Sequence, residues 1–142
     1  TGDGRNDIVY TYSAQGSPVT IAAFAQDDAG QITPDPVLYN SHNGPDVVEV
    51  ADVNGDGLED IVVLHNGWGA IGVYLQNTAG AMDPEMLFPS LTDSNSGQGM
   101  AVGDINSDGL PDIVSTDHNN GLVLLYQKAA PASTRAGWEL YE

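Results

Sequence analysis

The chain has 142 residues, with 20 Asp and Glu against 3 Lys and Arg, and its formal net charge is −17. So few basic residues cannot neutralise phosphates, which excludes a nucleic-acid-binding role. Hydrophobic residues make up 41% of the chain, enough for a folded core. The apolar runs are far shorter than the roughly 20 residues that span a bilayer. The absence of cysteine excludes disulfides and thiolate metal sites.

An acidic loop repeats along the sequence. The segment Asp52–Asp60, here called loop II, reads DVNGDGLED, and Asp104–Asp112, loop III, reads DINSDGLPD. A truncated copy, loop I, opens the chain and ends at Asp7. Equivalent aspartates are 53 and 52 residues apart, so the chain consists of units of nearly constant length.

Short apolar runs lie between the loops in the same order in each unit. They are rich in Val, Ile, Leu and Tyr and are bounded by Gly, Pro, Asn and Asp, which is typical of strands. The predicted strands are, in chain order, Ile8–Tyr10, Val19–Ala25, Val37–Tyr39, Val47–Val50, Ile61–Leu64, Ala70–Leu75, Met86–Phe88, Met100–Val102, Ile113–Val114, Gly121–Tyr126 and Trp138–Tyr141. No long stretch shows a period of about 3.6 residues, so no helix is predicted.

Four strands in about 50 residues are typical of a β-propeller blade. We therefore predict an all-β fold of four-stranded antiparallel blades: residues 1–44 without the first strand, 45–97, and 98–142. A β-sandwich is the alternative, although it would not need a repeated loop at fixed spacing. Because a closed propeller takes about 4 to 8 blades, we expect a partial propeller, completed by further blades or by identical subunits.

The loops carry oxygen ligands at alternating positions, which suits Ca²⁺ better than Mg²⁺ because Ca²⁺ accepts about 6 to 8 protein oxygens. In loop II the predicted ligands are Asp52, Asn54, Asp56, the Leu58 carbonyl and Asp60. In loop III they are Asp104, Asn106, Asp108, the Leu110 carbonyl and Asp112. Loop I retains Thr1, Asp3, the Arg5 carbonyl and Asp7.

Two further loop types fit this pattern less well. An EF-hand needs a Glu at position 12 followed by a helix, but Val63 and Ser115 stand there. A simple hairpin turn accounts for Asp-Gly, yet it does not require Asp at positions 1, 5 and 9. A calcium loop joining two strands remains the preferred interpretation.

Loops alternate between two faces of an up-and-down blade, so another set of polar residues is predicted opposite the calcium loops. An aromatic ring beside amides is the combination that sugar recognition uses, although Asn, His and Gly are also ordinary turn residues. The three histidines lie in different blades without short ligand spacing, so a histidine metal site is not expected. The candidate ligand face comprises His42, His65, Asn66, Trp68, His118 and Asn119.

The loops and the segments before them, Val48-Glu-Val-Ala and Gly99-Met-Ala-Val-Gly, resemble the FG-GAP/VCBS repeats of integrin α-subunit-like propellers. The resemblance implies a calcium-stabilised, usually seven-bladed propeller in a secreted or cell-surface protein, with the metal ligands at the loop positions given above. The Phe-Gly and Gly-Ala-Pro strings that name the repeat are absent, which places the chain nearer to the VCBS-type group.

We expect a binding scaffold for a protein or glycan ligand, acting in adhesion, rather than an enzyme. Eight of the aspartates belong to the calcium loops and are therefore not free to act as acid or base. No nucleophile-elbow, zinc-protease or phosphate-loop motif is present. The alternatives are the propeller part of a polysaccharide-degrading enzyme, since similar propellers occur in polysaccharide lyases, and a structural subunit of a ring or filament.

Overall fold

The computed structural model describes residues 3–12, 20–91 and 99–128, together with the backbone of 137–141. All regular structure in these ranges is β, which confirms the predicted fold class. The strands are β1 Ile8–Tyr12, β2 Thr20–Phe24, β3 Val37–Asn40, β4 Pro45–Ala51, β5 Asp60–His65, β6 Ala70–Tyr74, β7 Met86–Pro89, β8 Met100–Gly103, β9 Asp112–Asp117, β10 Gly121–Lys128 and β11 Gly137–Tyr141.

The strands form three antiparallel sheets, each with neighbouring strands joined in chain order. Blade I contains β1 to β3, blade II contains β4 to β7, and blade III contains β8 to β11. Blade I therefore has three strands and begins at the strand that corresponds to β5 and β9. Blade II packs against blade I on one face and against blade III on the other, and the described parts of the three sheets do not close into a ring.

Strand β5 is the centre of the stack, since every residue from Asp60 to His65 is buried. Successive side chains of a strand point to opposite faces. Ile61 and Val63 accordingly pack towards blade I, whereas Val62 and Leu64 pack towards blade III. Because both faces are buried, the run Ile-Val-Val-Leu is continuously apolar rather than alternating.

Two apolar clusters hold the blades together. The cluster between blades I and II is built around Ile21, Ile61, Val63 and Tyr74. The cluster between blades II and III consists of Val53, Val62, Leu64, Ile71, Val73, Leu75, Met100, Ile113, Val123 and Leu125. Each fully buried side chain of this size contributes about 1.5–3 kcal/mol, so the second interface is the more strongly packed of the two.

The up-and-down connectivity sorts the loops onto two edges of the stack. Loops II and III join the first and second strands of their blades at one edge. The β5–β6 turn at Asn66–Gly69 and the connection between blades I and II at residues 41–44 lie at the opposite edge. The candidate calcium ligands and the candidate ligand face are consequently at opposite ends of the strands.

Candidate calcium loops and the opposite face

Loop II is folded around its own side-chain oxygens. The Asp52 carboxylate accepts hydrogen bonds from the backbone N–H groups of Asp56 at 3.2 Å and Gly57 at 2.8 Å. Asn54 Oδ1 accepts from the Asp56 N–H at 2.8 Å, and Asp56 Oδ1 accepts from the Leu58 N–H at 2.8 Å. The side chains at positions 1, 3 and 5 therefore turn back over the loop.

Loop III repeats this hydrogen-bond pattern. The Asp104 carboxylate accepts from the N–H groups of Asp108 at 3.1 Å and Gly109 at 2.9 Å. Asn106 Oδ1 accepts from the Asp108 N–H at 2.8 Å, and Asp108 Oδ1 accepts from the Leu110 N–H at 2.9 Å. Two different sequences thus adopt one loop structure.

The residues at the fourth loop position have the same backbone conformation in loops II and III. Gly55 has a φ of 76°, and Ser107, its equivalent in loop III, has a φ of 65°. A left-handed backbone is uncommon for a residue with a side chain. Such a conformation persists where the surrounding structure imposes it, and loop III therefore keeps at Ser107 the backbone that loop II has at Gly55.

The aspartate at position 9 anchors the loop to the rest of the blade. Asp60 is fully buried; its Oδ2 accepts from the Val53 N–H at 3.0 Å and its Oδ1 from the Gln76 N–H at 2.8 Å. Burial raises the pKa of Asp60 to about 6, against the lowering effect of these two hydrogen bonds and with a further rise from the charges of Asp56 and Asp52.

Both other blades contain the same anchor. Asp112, also fully buried, accepts from the Ile105 N–H at 3.0 Å and the Gln127 N–H at 2.9 Å. In blade I, Asp7 accepts from the Gln26 N–H at 3.0 Å. The loop pattern in the sequence predicts position 9 only as a metal ligand. Its place directly before a buried Ile-Val strand was the available signal for a structural role.

The donor chemistry of loops II and III fits a hard cation. Positions 1, 3 and 5 supply carboxylate and amide oxygens, which are the ligands that Ca²⁺ prefers. An ionised carboxylate has about four acceptor positions, so oxygens that already accept one N–H retain capacity for a cation. Among the described residues, no three acidic or histidine side chains are gathered into a preformed metal site.

Loop I differs because it carries its own positive charge. Arg5 occupies the position of Leu58 and Leu110, and its guanidinium lies 2.6 Å from an Asp3 carboxylate oxygen. The same guanidinium is paired with Asp28. Thr1, the remaining predicted ligand, lies outside the described residues. The Arg5 side chain therefore reduces the negative charge of loop I, as no residue of the described loops II and III does.

On the opposite face, His65 is not presented to a ligand. Its ring is fully buried, with Nε2 2.7 Å from Glu85 Oε1 and Nδ1 3.1 Å from the Asn43 carbonyl oxygen. Both ring nitrogens face acceptor oxygens, so the ring donates to both only as an imidazolium. The partner, Glu85, was not identified in the sequence because it lies 20 residues away, directly before β7.

Glu85 also fixes the connection between blades I and II. Its Oε2 accepts from the His42 N–H at 2.7 Å. Burial by itself would raise the pKa of Glu85, but the hydrogen bonds from His65 and from the His42 N–H, together with the charge of His65, lower it below the ordinary value. The carboxylate is therefore held ionised inside the interface.

The exposed part of this face is built around Trp68. Its ring is 55% exposed and meets the His42 ring edge-on at 5.2 Å, and the His42 ring in turn lies 5.5 Å from that of His65. Asn66, in the same turn, is half-buried and donates to Asp46. His118 and Asn119 are exposed in the β9–β10 turn of blade III. The structure thus brings His42, His65 and Trp68 together and places the other two residues on the neighbouring blade.

Stacked antiparallel sheets of three or four strands with one repeated acidic loop define this chain as a set of β-propeller blades. The family model for the FG-GAP-like repeat matches residues 1–63 and 52–115, and the chain belongs to this family. No curated protein and no solved structure matches the chain. The described residues contain no helix with the length and apolar character needed to cross a membrane.

Proposed function

We propose that this propeller scaffold binds Ca²⁺ through loops II and III and that the ions stabilise the fold. The observation that carries the proposal is the shared loop structure, in which the oxygens of positions 1, 3 and 5 turn back over the loop in both copies. Carboxylates within one short loop repel one another, and a divalent cation offsets that repulsion.

Calcium titration by calorimetry tests this proposal directly. We expect about two calcium ions per chain, and a melting temperature that falls when a chelator is added, because ligand at 100 times its dissociation constant stabilises a fold by about 2.7 kcal/mol. Mg²⁺ at equal concentration is the control and should stabilise less. An unchanged melt in excess chelator would contradict the structural role.

We further propose that the face around Trp68 binds a ligand, with carbohydrate as the preferred class, in a secreted or cell-surface protein acting in adhesion. An exposed indole beside His42 and Asn66 offers a stacking surface with hydrogen-bonding groups around it. Glycan-array binding that is lost in Trp68→Ala, with an unchanged melting temperature, would support this function. Product formation from a polysaccharide would instead favour the alternative of an enzyme.

A structural subunit of a ring or filament is the second candidate, and the outer faces of the stack favour it. Ile8, Tyr10 and Tyr12 are exposed on the outer face of blade I. Ile61, the equivalent of Ile8, is fully buried against the neighbouring blade. A further blade of the same kind would cover the exposed side chains. Sedimentation should then show assembly, and a monomer with a cooperative melt would exclude this candidate.

A further inference from the structure

A glutamine of blade III reaches across the interface into loop II. Gln127 Nε2 donates a hydrogen bond to the carbonyl oxygen of Val53 at 2.7 Å, although the two residues are 74 positions apart in the sequence. Gln127 is 6% exposed and Val53 is fully buried. Val53 is position 2 of loop II, so the bond joins one blade to the calcium loop of its neighbour.

Both ends of this bond are attached to the position 9 aspartate of a loop. The Val53 N–H donates to Asp60, the last residue of loop II, and the Gln127 N–H donates to Asp112, the last residue of loop III. A continuous path of three hydrogen bonds therefore runs from Asp60 through Val53 and Gln127 to Asp112. Every residue on the path is buried.

Burial makes the path costly to interrupt. A carbonyl that loses its donor inside the protein cannot bond to water instead, so the loss has the desolvation penalty of an unsatisfied group. The Val53 side chain also belongs to the apolar cluster between blades II and III. Displacement of Val53 would therefore disturb both the apolar cluster and, through Gln127, the backbone that is hydrogen-bonded to Asp112.

We propose that Gln127 couples the two loops, so that an ordered loop III favours an ordered loop II and calcium binds to them with positive cooperativity. This inference rests on the proposed calcium binding. The shared element is the Val53–Gln127 bond, which has one partner in loop II and the other on a residue whose backbone N–H donates to Asp112 of loop III. Coupling of this kind is reciprocal, and typical values change affinity by about fivefold or more.

Blade II offers a matched control. Gln76 corresponds to Gln127: its N–H donates to Asp60 as that of Gln127 does to Asp112, and it is equally buried at 4% exposure. The side-chain oxygens of Gln76 and Gln127 both have no hydrogen-bond partner among the described residues, so the two side chains are matched in this respect. Gln76 lines a cleft of about 550 Å³ between blades I and II, so it does not lie between the two complete loops.

The test is a double-mutant cycle read by calcium calorimetry on the 142-residue chain. Asp108→Ala disables loop III, and the calcium affinity of loop II is then measured with Gln127 intact, with Gln127→Met and with Gln76→Met. We expect Asp108→Ala to weaken loop II about fivefold in the wild-type and Gln76→Met backgrounds. In the Gln127→Met background it should leave the affinity of loop II unchanged.

The two proposals fail in different ways. Absence of calcium binding at both loops would overturn the proposed function. Calcium binding in which Asp108→Ala has the same effect in all three backgrounds would overturn the coupling alone. Gln127→Asn, which keeps the amide but is one methylene too short to span the same distance, should behave like Gln127→Met, and it replaces that variant if methionine prevents folding.

Hydrogen exchange in chelator gives a second readout that does not depend on calcium. Gln127→Met should accelerate exchange of the Val53 and Ile105 N–H groups, because the path that connects their aspartate acceptors is interrupted. Gln76→Met should leave the Ile105 N–H unchanged. Equal protection of both N–H groups in Gln127→Met and in the wild-type chain would contradict the coupling.

Discussion

His65 Nε2 lies 2.7 Å from Glu85 Oε1 inside the interface between blades I and II. The pair joins the end of β5 to the residue before β7, and through Glu85 it also holds the backbone of His42. His42 in turn packs against the exposed ring of Trp68. The geometry of the candidate ligand face therefore depends on a buried pair that no ligand would touch.

The substitution Gly72→Ala should break this pair. A Cβ at Gly72 would lie 2.1 Å from Glu85 Oε1 and 2.7 Å from His65 Nε2, so the carboxylate would have to move away from its donors. We expect the free energy of unfolding to fall by about 1.5–3 kcal/mol, the range for hydrogen bonds to a charged group. Urea denaturation measures the change. Gly103→Ala is the control, because a Cβ there meets no atom within 4 Å, and a similar loss in both variants would show that the clash with the pair is not the cause.

Stability should depend on the ionisation of Glu85. Its pKa is lowered from the ordinary value of 4.5, so the ionised carboxylate stabilises the folded state. This contribution is complete above about pH 4.5 and is lost as the pH falls through the lower pKa of the folded state. Glu85→Gln should reduce the free energy of unfolding by about 1 kcal/mol at neutral pH.

Urea denaturation from about pH 7 to about pH 3 gives the free energy of unfolding of the wild-type and Glu85→Gln chains. The difference between the two values isolates the contribution of Glu85 from that of the other acids. It should narrow as the pH falls below about 4.5. A difference that stays constant over the whole range would show that Glu85 does not contribute through its charge.

Exchanging the residues at the fourth loop position should have opposite effects in the two loops. Ser107→Gly relieves a left-handed backbone, and Gly55→Ser introduces one where a Cβ meets no neighbouring atom. The left-handed penalty of about 1–2 kcal/mol is partly offset by the entropy that glycine loses on folding. We expect about 0.5–1 kcal/mol of stabilisation from Ser107→Gly and a similar loss from Gly55→Ser. Thermal melts of both variants show whether each one stabilises or destabilises the chain. A change in the same direction in both variants would contradict a shared left-handed backbone at the fourth loop position.

Substitution of two aspartates of loop II should have different effects on stability when calcium is absent. In chelator, Asp60→Asn should lower the free energy of unfolding by about 2 kcal/mol, because an amide nitrogen replaces an oxygen that accepts from a buried N–H. Asp56→Asn is at an exposed position and should change it by less than about 0.5 kcal/mol. With calcium present, both variants should lose part of the stabilisation that the proposed calcium binding predicts for the wild-type chain. Equal melts of the two variants in chelator would argue against the anchoring role of Asp60.

Much of the fold could be predicted because its signals are local. The buried run of β5 and the glycine-bounded strands around it follow from apolar patterning, and loop II is held by hydrogen bonds between residues only two to five positions apart. The anchoring role of Asp60 was not predicted, since Gln76, one of its two donors, is 16 residues away.

By itself, the sequence determined the repeated unit, the all-β class and the oxygen-bearing side chains of the loops, because a strand and a loop of this kind are specified by residues close together in the chain. Only the tertiary structure decided that His65 is paired with Glu85 and that Gln127 reaches Val53. A buried polar group takes its partner from whichever blade face packs against it. Residue spacing does not encode that choice, and the packing of the blades does.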